Sequence, residues 1–173
     1  MKKFVVFLFI PLIFGFSPPK YNEKSIISHF EEILNEYRTT KGLCKISIDE
    51  SIKEFTDERC SDIIRDYSHN GFKEKVITRS FKFTFAGENI TTILNIPPNN
   101  KPYYSSNIKE IGDIMNKMAI GQSTNYDVAM YCFLKWKYSP SHNELLLSPE
   151  TKRFYLSYDK SRTSYYFCFV ALD

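Results

Sequence analysis

The chain has 173 residues, of which 43% are hydrophobic and 16% aromatic, enough apolar material for one globular domain with a buried core. The formal net charge is +3, and Lys2 and Lys3 supply two of the positive charges, so the remaining chain is nearly neutral. A nearly neutral domain gives no electrostatic basis for binding nucleic acid or an anionic membrane surface, and we expect neither.

The N-terminal residues indicate export. The stretch "MKKFVVFLFIPLIFGFS" places two lysines before an apolar run, the pattern of a signal peptide. The run is shorter than the roughly 20 apolar residues of a transmembrane helix, so we expect no stable membrane span. We predict a signal peptide over 1–17, a linker over 18–25, a single domain over 26–173, and a secreted protein, extracellular or periplasmic.

Four cysteines, Cys44, Cys60, Cys132 and Cys168, follow the predicted signal peptide. Disulfide bonds persist in exported proteins, and four cysteines allow three full pairings. We favour a Cys132–Cys168 bond, whereas a Cys44–Cys60 bond is doubtful because Cys60 lies well inside a predicted helix. Buried free thiols are the alternative.

Apolar residues at helical spacing predict four helices. The first covers 26–37 and stops before Gly42, and the second follows the N-cap residue Asp49 and ends near Tyr67. The third covers 108–118. The fourth, over 127–136, is apolar almost all the way round, so we expect it to be buried.

Strand signals occur in two regions. Residues 76–94 are aromatic and β-branched around "AGEN", which we interpret as strand, turn and strand, and a loop is expected over 95–107. The segments "RFYLSYD" and "TSYYFCFVALD" predict a terminal hairpin. Helices followed by a hairpin predict an α+β fold, with helices packed on a small antiparallel sheet.

Three short stretches outside the apolar pattern carry polar groups suited to chemistry. They are "SHNGF" at 68–72, "AGENI" at 86–90 and "SPSHNE" at 139–144. Two histidines and a carboxylate are the donor set of an open zinc site, and they are equally suited to acid/base chemistry without a metal.

Each of these polar residues has a structural alternative. His69 could close the preceding helix, and Glu88 could accept a hydrogen bond from a backbone amide at a strand end. Ser141 and Glu144 have capping-box spacing, so we interpret Glu144 as a cap rather than a ligand. His29 lies on the polar side of the first helix, where solvated surface is the simplest interpretation. Neither a Gly-x-Ser-x-Gly elbow nor a Cys-His protease signature is present.

In their order and spacing, "SHNGF", "AGENI" and "FLKWKYSPSHNELLLSP", with the closing aromatic hairpin, resemble the bacterial branch of the CAP superfamily. This superfamily comprises cysteine-rich secretory proteins, antigen 5 and pathogenesis-related 1 proteins, and its bacterial members are called SCP-like extracellular proteins. The resemblance runs from about Ile26 to the C-terminus. It implies secretion and an α-β-α sandwich, with helices on both sides of the sheet and a shallow cleft lined by two histidines and acidic residues.

By motif, the resemblance places His69, Glu88, Asn89 and His142 in this cleft. In relatives that bind a divalent cation, often zinc, the two histidines are the usual ligands. The resemblance therefore makes His69 and His142 candidate metal ligands, with one divalent cation such as zinc as the candidate cofactor.

The chain departs from the family pattern in several places, including the glycine-free "KRFYLSY" where relatives have a Gly-Val-Gly strand. The second glutamate of eukaryotic relatives is replaced by Cys132, four residues before Trp136. The His-Arg-x-Asn pattern of bacterial relatives is replaced here by "HNEL". The connection over 93–122 is longer than in bacterial relatives. We expect any ligand specificity that distinguishes this chain from its relatives to lie there.

The sequence leaves three hypotheses for the cleft. We favour a secreted binding or interaction module that takes a small apolar or sterol-like ligand or a peptide partner, because no complete nucleophile, base and orienting group is present. The alternative is a peptidase-like metal-dependent hydrolase, with His69 and His142 as ligands and Glu88 as the base. In the third hypothesis these side chains only brace the fold.

Overall fold

The computed structural model describes residues 21–94, 108–162 and 164–173. The predicted signal peptide and the predicted loop over 95–107 lie outside these residues. Of the predicted linker, Tyr21 and Asn22 precede the first helix, which begins at Glu23.

The described residues form α-helices, one short 3₁₀ helix and β-strands. In chain order they are α1 (Glu23–Thr40), β1 (Ser47–Ile48), the 3₁₀ helix (Glu50–Ile52), α2 (Lys53–Arg65), α3 (Phe72–Thr78), β2 (Ala86–Leu94), α4 (Lys109–Ala119), α5 (Asn125–Lys137), α6 (Pro140–Leu146), β3 (Arg153–Lys160) and β4 (Ser164–Leu172). The four predicted helices correspond to α1, α2, α4 and α5. Among the helices described here, none combines the length and apolar character needed to cross a membrane.

Side-chain caps explain where several helices begin. The Asn22 side chain accepts a hydrogen bond from the Ser25 amide at the start of α1, and Asp49 does the same for Ser51 at the 3₁₀ helix. Thr124 and Asp127 form a reciprocal capping box at α5. Each cap satisfies amide groups that the first turn of a helix leaves unpaired.

The strands form one sheet in the order β1-β3-β4-β2. β4 pairs antiparallel with both β3 and β2, whereas the two-residue β1 pairs parallel with β3. The predicted hairpin is therefore the centre of the sheet, and β2 is an edge strand. The predicted α+β fold is confirmed, with one short parallel pair added to the antiparallel sheet.

Helices cover both faces of this sheet. On one face, Phe30 of α1 packs against Trp136 of α5, Phe154 and Phe169, with ring centroids 5.5 to 5.9 Å apart. On the other face, Cys60 of α2 donates to backbone carbonyl groups of β3 and β4. Because side chains alternate between the two faces of a strand, this arrangement buries both sides of β4. The predicted α-β-α sandwich is confirmed.

Of the predicted strand, turn and strand over 76–94, the second strand is confirmed as part of β2, whereas the first strand and the turn are wrong. Residues 72–78 form α3, and "AGEN" lies inside β2, where Ala86 pairs with Leu172. α6 packs closely on Gly87 of this strand, and a Cβ at this position would collide with the end of the Leu145 side chain. The glycine therefore allows close packing and does not mark a turn.

The interpretation of Ser141 and Glu144 as a capping box is also wrong. Ser139 is the N-cap of α6 and Pro140 occupies the start of the helix, so Ser141 lies inside the first turn. Proline suits this position because its fixed φ is helical and the missing amide has no helical partner there. Glu144 is exposed to solvent.

All four cysteines are free thiols, and the favoured Cys132–Cys168 bond is not formed. Cys132 belongs to α5, on the Trp136 face of the sheet. The Cys168 side chain points to the α2 face, where its sulfur lies 3.4 Å from Glu88 Oε1. The sheet itself separates the two sulfurs.

We expect one thiol to react in the native protein and four after denaturation. Cys44 is exposed, whereas Cys60, Cys132 and Cys168 have no exposed surface, and burial raises the pKa of all three buried thiols. Titration with Ellman's reagent in buffer and in guanidinium chloride measures both numbers. Cys44→Ser should remove the native reaction, and fewer than four thiols in the denatured wild type would contradict the free-thiol structure.

Candidate functional site

An open cleft of about 970 Å³ lies between the start of β2 and α6. Three segments line it: His69 and Phe72 at the turn between α2 and α3, residues 85–89, and α6 with the turn that follows it. The four cleft residues predicted from the sequence, His69, Glu88, Asn89 and His142, all line this cleft.

Local backbone geometry brings these residues together. Gly71 has a left-handed φ of 78° and turns the chain between α2 and α3, beside His69. Glu88 and its neighbour Asn89 point to opposite faces of β2. The side-chain amide of Asn89 donates to the His142 carbonyl over 3.0 Å and so ties the start of α6 to the strand.

The Glu88 carboxylate is buried, with 1% of its side chain exposed, and is fully engaged. Arg59 of α2 donates from Nε to Oε1 over 2.8 Å and from Nη2 to Oε2 over 3.2 Å. His69 Nδ1 lies 2.9 Å from Oε2, and the Cys168 thiol donates to Oε1. The bidentate arrangement with Arg59 is the strongest form of carboxylate pairing.

These contacts determine the ionisation of the pair. Burial raises the pKa of Glu88, but hydrogen bonds from His69 and Arg59 outweigh it and hold that pKa below its ordinary value. Burial likewise lowers the pKa of Arg59, but Glu88 outweighs this effect, so the pKa of Arg59 is raised. The two side chains therefore form a charged pair at neutral pH.

Arg59 also joins the site to a network of charges on α2 and α3. Its Nη1 donates to Asp62 over 2.9 Å and to the Asn70 carbonyl over 3.3 Å. Lys75 of α3 donates to the same Asp62 over 2.7 Å. The network holds the turn that carries His69 against α2.

Sequence analysis did not identify Arg59, although a signal was present. Arg59 falls on the buried face of α2, together with Phe55, Cys60 and Ile63. A charged residue on an apolar helical face needs a buried partner of opposite charge, because an isolated buried charge is costly. Glu88 was then the suitable acid among the candidate site residues.

The two cleft histidines face each other. Their ring centroids lie 6.1 Å apart at an interplanar angle of 52°. His142 is partly buried, and burial, then His69 and Lys135, lower its pKa, so the imidazole is neutral at neutral pH. With a proton on Nδ1, His69 donates to Glu88, and its Nε2 then carries the lone pair of the neutral ring.

The donor set does not fit a three-ligand metal site. Both oxygens of Glu88 already accept from Arg59 and His69, and the adjacent guanidinium repels a second cation. Cys132, at the position of the missing second glutamate, is buried in α5. Within the described part of the chain, no group of three His, Cys, Asp or Glu side chains is arranged to hold a metal ion.

We expect Glu88→Gln to lower the free energy of unfolding by about 3 kcal/mol or more at pH 7, because it leaves Arg59 buried without a counter-charge. The pKa of Glu88 is lower in the folded than in the unfolded chain, so its ionised form stabilises the fold above the unfolded pKa of about 4.3. This contribution is lost as the pH falls through the folded pKa. The difference between wild type and variant should therefore shrink in acid.

Urea denaturation from pH 3 to pH 8 measures this difference. The matched control is Glu32→Gln, since the Glu32 side chain is 75% exposed, and its effect should stay within about 0.5 kcal/mol. An effect of Glu88→Gln as small as that of the control would contradict a buried ion pair.

No family model matches this sequence, and no curated protein matches it. Solved structures do match. A cysteine-rich secretory protein from Staphylococcus aureus subsp. aureus Mu50 aligns at a TM-score of 0.54 and 12% identity, over 88% of this chain and 40% of that protein. An extracellular protein containing a SCP domain from Bacillus anthracis str. Ames aligns at 0.52 and 15%, over 86% of this chain and 41% of that one.

A third structure, an outer surface protein from Borrelia burgdorferi, aligns at a TM-score of 0.56 and 14% identity, over 91% of this chain and 100% of the other. This chain thus spans about two fifths of the length of the staphylococcal and Bacillus proteins. Identities this low establish the fold and no more. The resemblance seen in the sequence motifs is confirmed at that level: the chain has the fold of a CAP, or SCP-like, domain.

Proposed function

We propose that this protein is a secreted binding module whose cleft takes an apolar ligand, either a small sterol-like molecule or a peptide partner. One observation carries the proposal. The acid of the cleft is held by Arg59 and His69, so it braces the fold, while apolar side chains provide much of the surface offered to a ligand.

The dimensions and chemistry of the cleft support binding. Its volume of about 970 Å³ falls within the range of roughly 300 to 1,000 Å³ found for small-molecule sites. Phe72, Phe85, Leu145, Leu147 and Pro149 contribute apolar surface. His69 and His142 add a small number of polar contacts, which in such sites orient the ligand.

The hydrolase alternative has no observation in its favour. A general base works best with a pKa near the operating pH and with a free lone pair towards the reacting proton. The pKa of Glu88 is held low, and both of its oxygens accept hydrogen bonds from Arg59, His69 or Cys168. Glu88 is therefore poorly suited to act as a general base.

An extracellular location completes the proposal. It rests on the signal-like pattern of residues 1–17 and on the secretory, extracellular and outer-surface descriptions of the three proteins with similar structures. A cleft open to solvent is suited to capturing a ligand outside the cell.

We expect the protein to bind the neutral apolar dye Nile red and Leu147→Asp to weaken this binding at least about tenfold. The substitution places a charge in the apolar cleft. An apolar ligand bound there would remove this carboxylate from water without giving it a partner, which is unfavourable. Leu147 is only half-buried, so the fold should tolerate the change. Dye fluorescence measures the affinity.

The matched control is Ile120→Asp, which introduces the same charge at an apolar residue 39% exposed and outside the cleft. It should leave dye affinity unchanged. Absence of dye binding would contradict a small apolar ligand, and equal losses in both variants would place the dye outside this cleft.

A further inference from the structure

Residues 85–89, which are Phe85 and the first four residues of β2, line the cleft. They present a sheet edge to it as well as side chains. β2 is the last strand on its side of the sheet, and β4 is its neighbour. In an antiparallel pair, the amide and carbonyl groups of alternate residues point towards the neighbour and those of the residues between point away. Half of the β2 main-chain groups therefore point to the outer edge.

Three hydrogen bonds identify which half points outward. The Asp173 amide donates to the Phe85 carbonyl. The main-chain groups of odd-numbered residues in β2 therefore make the hydrogen bonds to β4. The Trp136 indole donates to the Ile90 carbonyl over 3.1 Å, and the Tyr131 hydroxyl donates to the Thr92 carbonyl over 3.2 Å. The main-chain amide and carbonyl groups of even-numbered residues therefore point away from β4. Ala86 and Glu88 are among these residues.

The outer edge is covered at one end and open at the other. Trp136 and Tyr131 of α5 occupy the carbonyl groups of Ile90 and Thr92. Among the described residues, no hydrogen bond from outside the sheet is made to the main-chain amide or carbonyl groups of Ala86 and Glu88. Glu88 is 9% exposed as a whole residue but 1% exposed at its side chain, so what it presents to the cleft is mainly backbone.

We propose that the cleft binds an extended peptide, which pairs with the open β2 edge at Ala86 and Glu88 as an additional strand. Strand addition supplies partners for these unpaired main-chain groups, and neighbouring apolar surface then accommodates alternate side chains of the peptide. The open edge is short: residues 85–89 span roughly 17 Å at about 3.3 Å per residue. The paired part of the peptide is accordingly four to six residues long, by the same estimate.

The charge of the cleft indicates the composition of this peptide. Glu144 and Glu150 are exposed at the cleft, and no Lys or Arg side chain lines it in the part of the chain that the structure describes. Arg59 is buried behind Glu88, and that carboxylate neutralises its charge. A Lys or Arg next to an apolar residue complements this rim.

This inference rests on the proposed function, because it names the ligand class of the same cleft. It is tested by selecting binders from a phage-displayed library of random octapeptides and synthesising the tightest. Selected sequences should combine apolar residues with Lys or Arg. Peptide binding should slow hydrogen exchange at the amides of Ala86 and Glu88, while those of Gly87 and Asn89, already paired with β4, change little.

Single N-methylation along the selected peptide separates strand pairing from side-chain binding. Methylation should weaken binding about tenfold or more at alternate positions, where the amide faces β2, and much less at the positions between. Equal effects at all positions, or unchanged exchange at Ala86 and Glu88, would overturn the proposal.

A variant pair tests the protein side of the contact. Ala86→Pro removes one outward amide, and edge strands tolerate proline where the amide faces solvent. It should weaken peptide binding about tenfold, whereas Ala86→Ser, which keeps the amide, should not. If Ala86→Pro fails to fold, the methylation series decides alone.

Nile red distinguishes a failure of strand pairing from a failure of the proposed function. Dye binding without any selected peptide would overturn strand pairing and leave an apolar small-molecule site. Failure of both dye and peptide would overturn the proposed function itself.

Discussion

The buried pair of Arg59 and Glu88 is the interaction on which the cleft depends. It joins α2, the edge strand β2 and the turn that carries His69, because Glu88 also accepts from that histidine. Burying two charges is costly, and close bidentate geometry offsets much of that cost. Removing either partner leaves the other buried without its counter-charge, so the pair constrains three elements at once.

The same pair determines what chemistry remains for the cleft. A carboxylate with both oxygens engaged and a lowered pKa is a poor base and a poor additional ligand for a cation. What remains open to a ligand is apolar surface, two imidazoles and the main chain of β2. The proposal that this cleft binds a ligand rests on the use of its acid to brace the fold.

Much of the fold could be predicted from the sequence because helical periodicity reports burial on one face. α1, α2, α4 and α5 are strongly patterned, and the terminal hairpin alternates as strands do. α3 was missed because its seven residues are too few to show a period. "AGEN" was misassigned because glycine in a strand and glycine in a turn look alike until the packing partner, Leu145, is known.

The candidate site was predictable in part. The motif order brought His69, Glu88, Asn89 and His142 together, and all four line one cleft. Arg59 was not predicted because its role depends on a contact with a residue 29 positions away. The open edge at Ala86 and Glu88 could not be predicted at all, since it depends on strand order and on which carbonyl groups α5 covers.

The pKa of the Glu88 carboxyl group, measured by carbon-13 NMR titration in the wild type and in Arg59→Met, tests the central claim most directly. We expect a wild-type pKa below the ordinary glutamate value of about 4.3, and a clear rise in Arg59→Met, where burial acts without the guanidinium. A wild-type pKa at or above the ordinary value, unchanged by Arg59→Met, would contradict it.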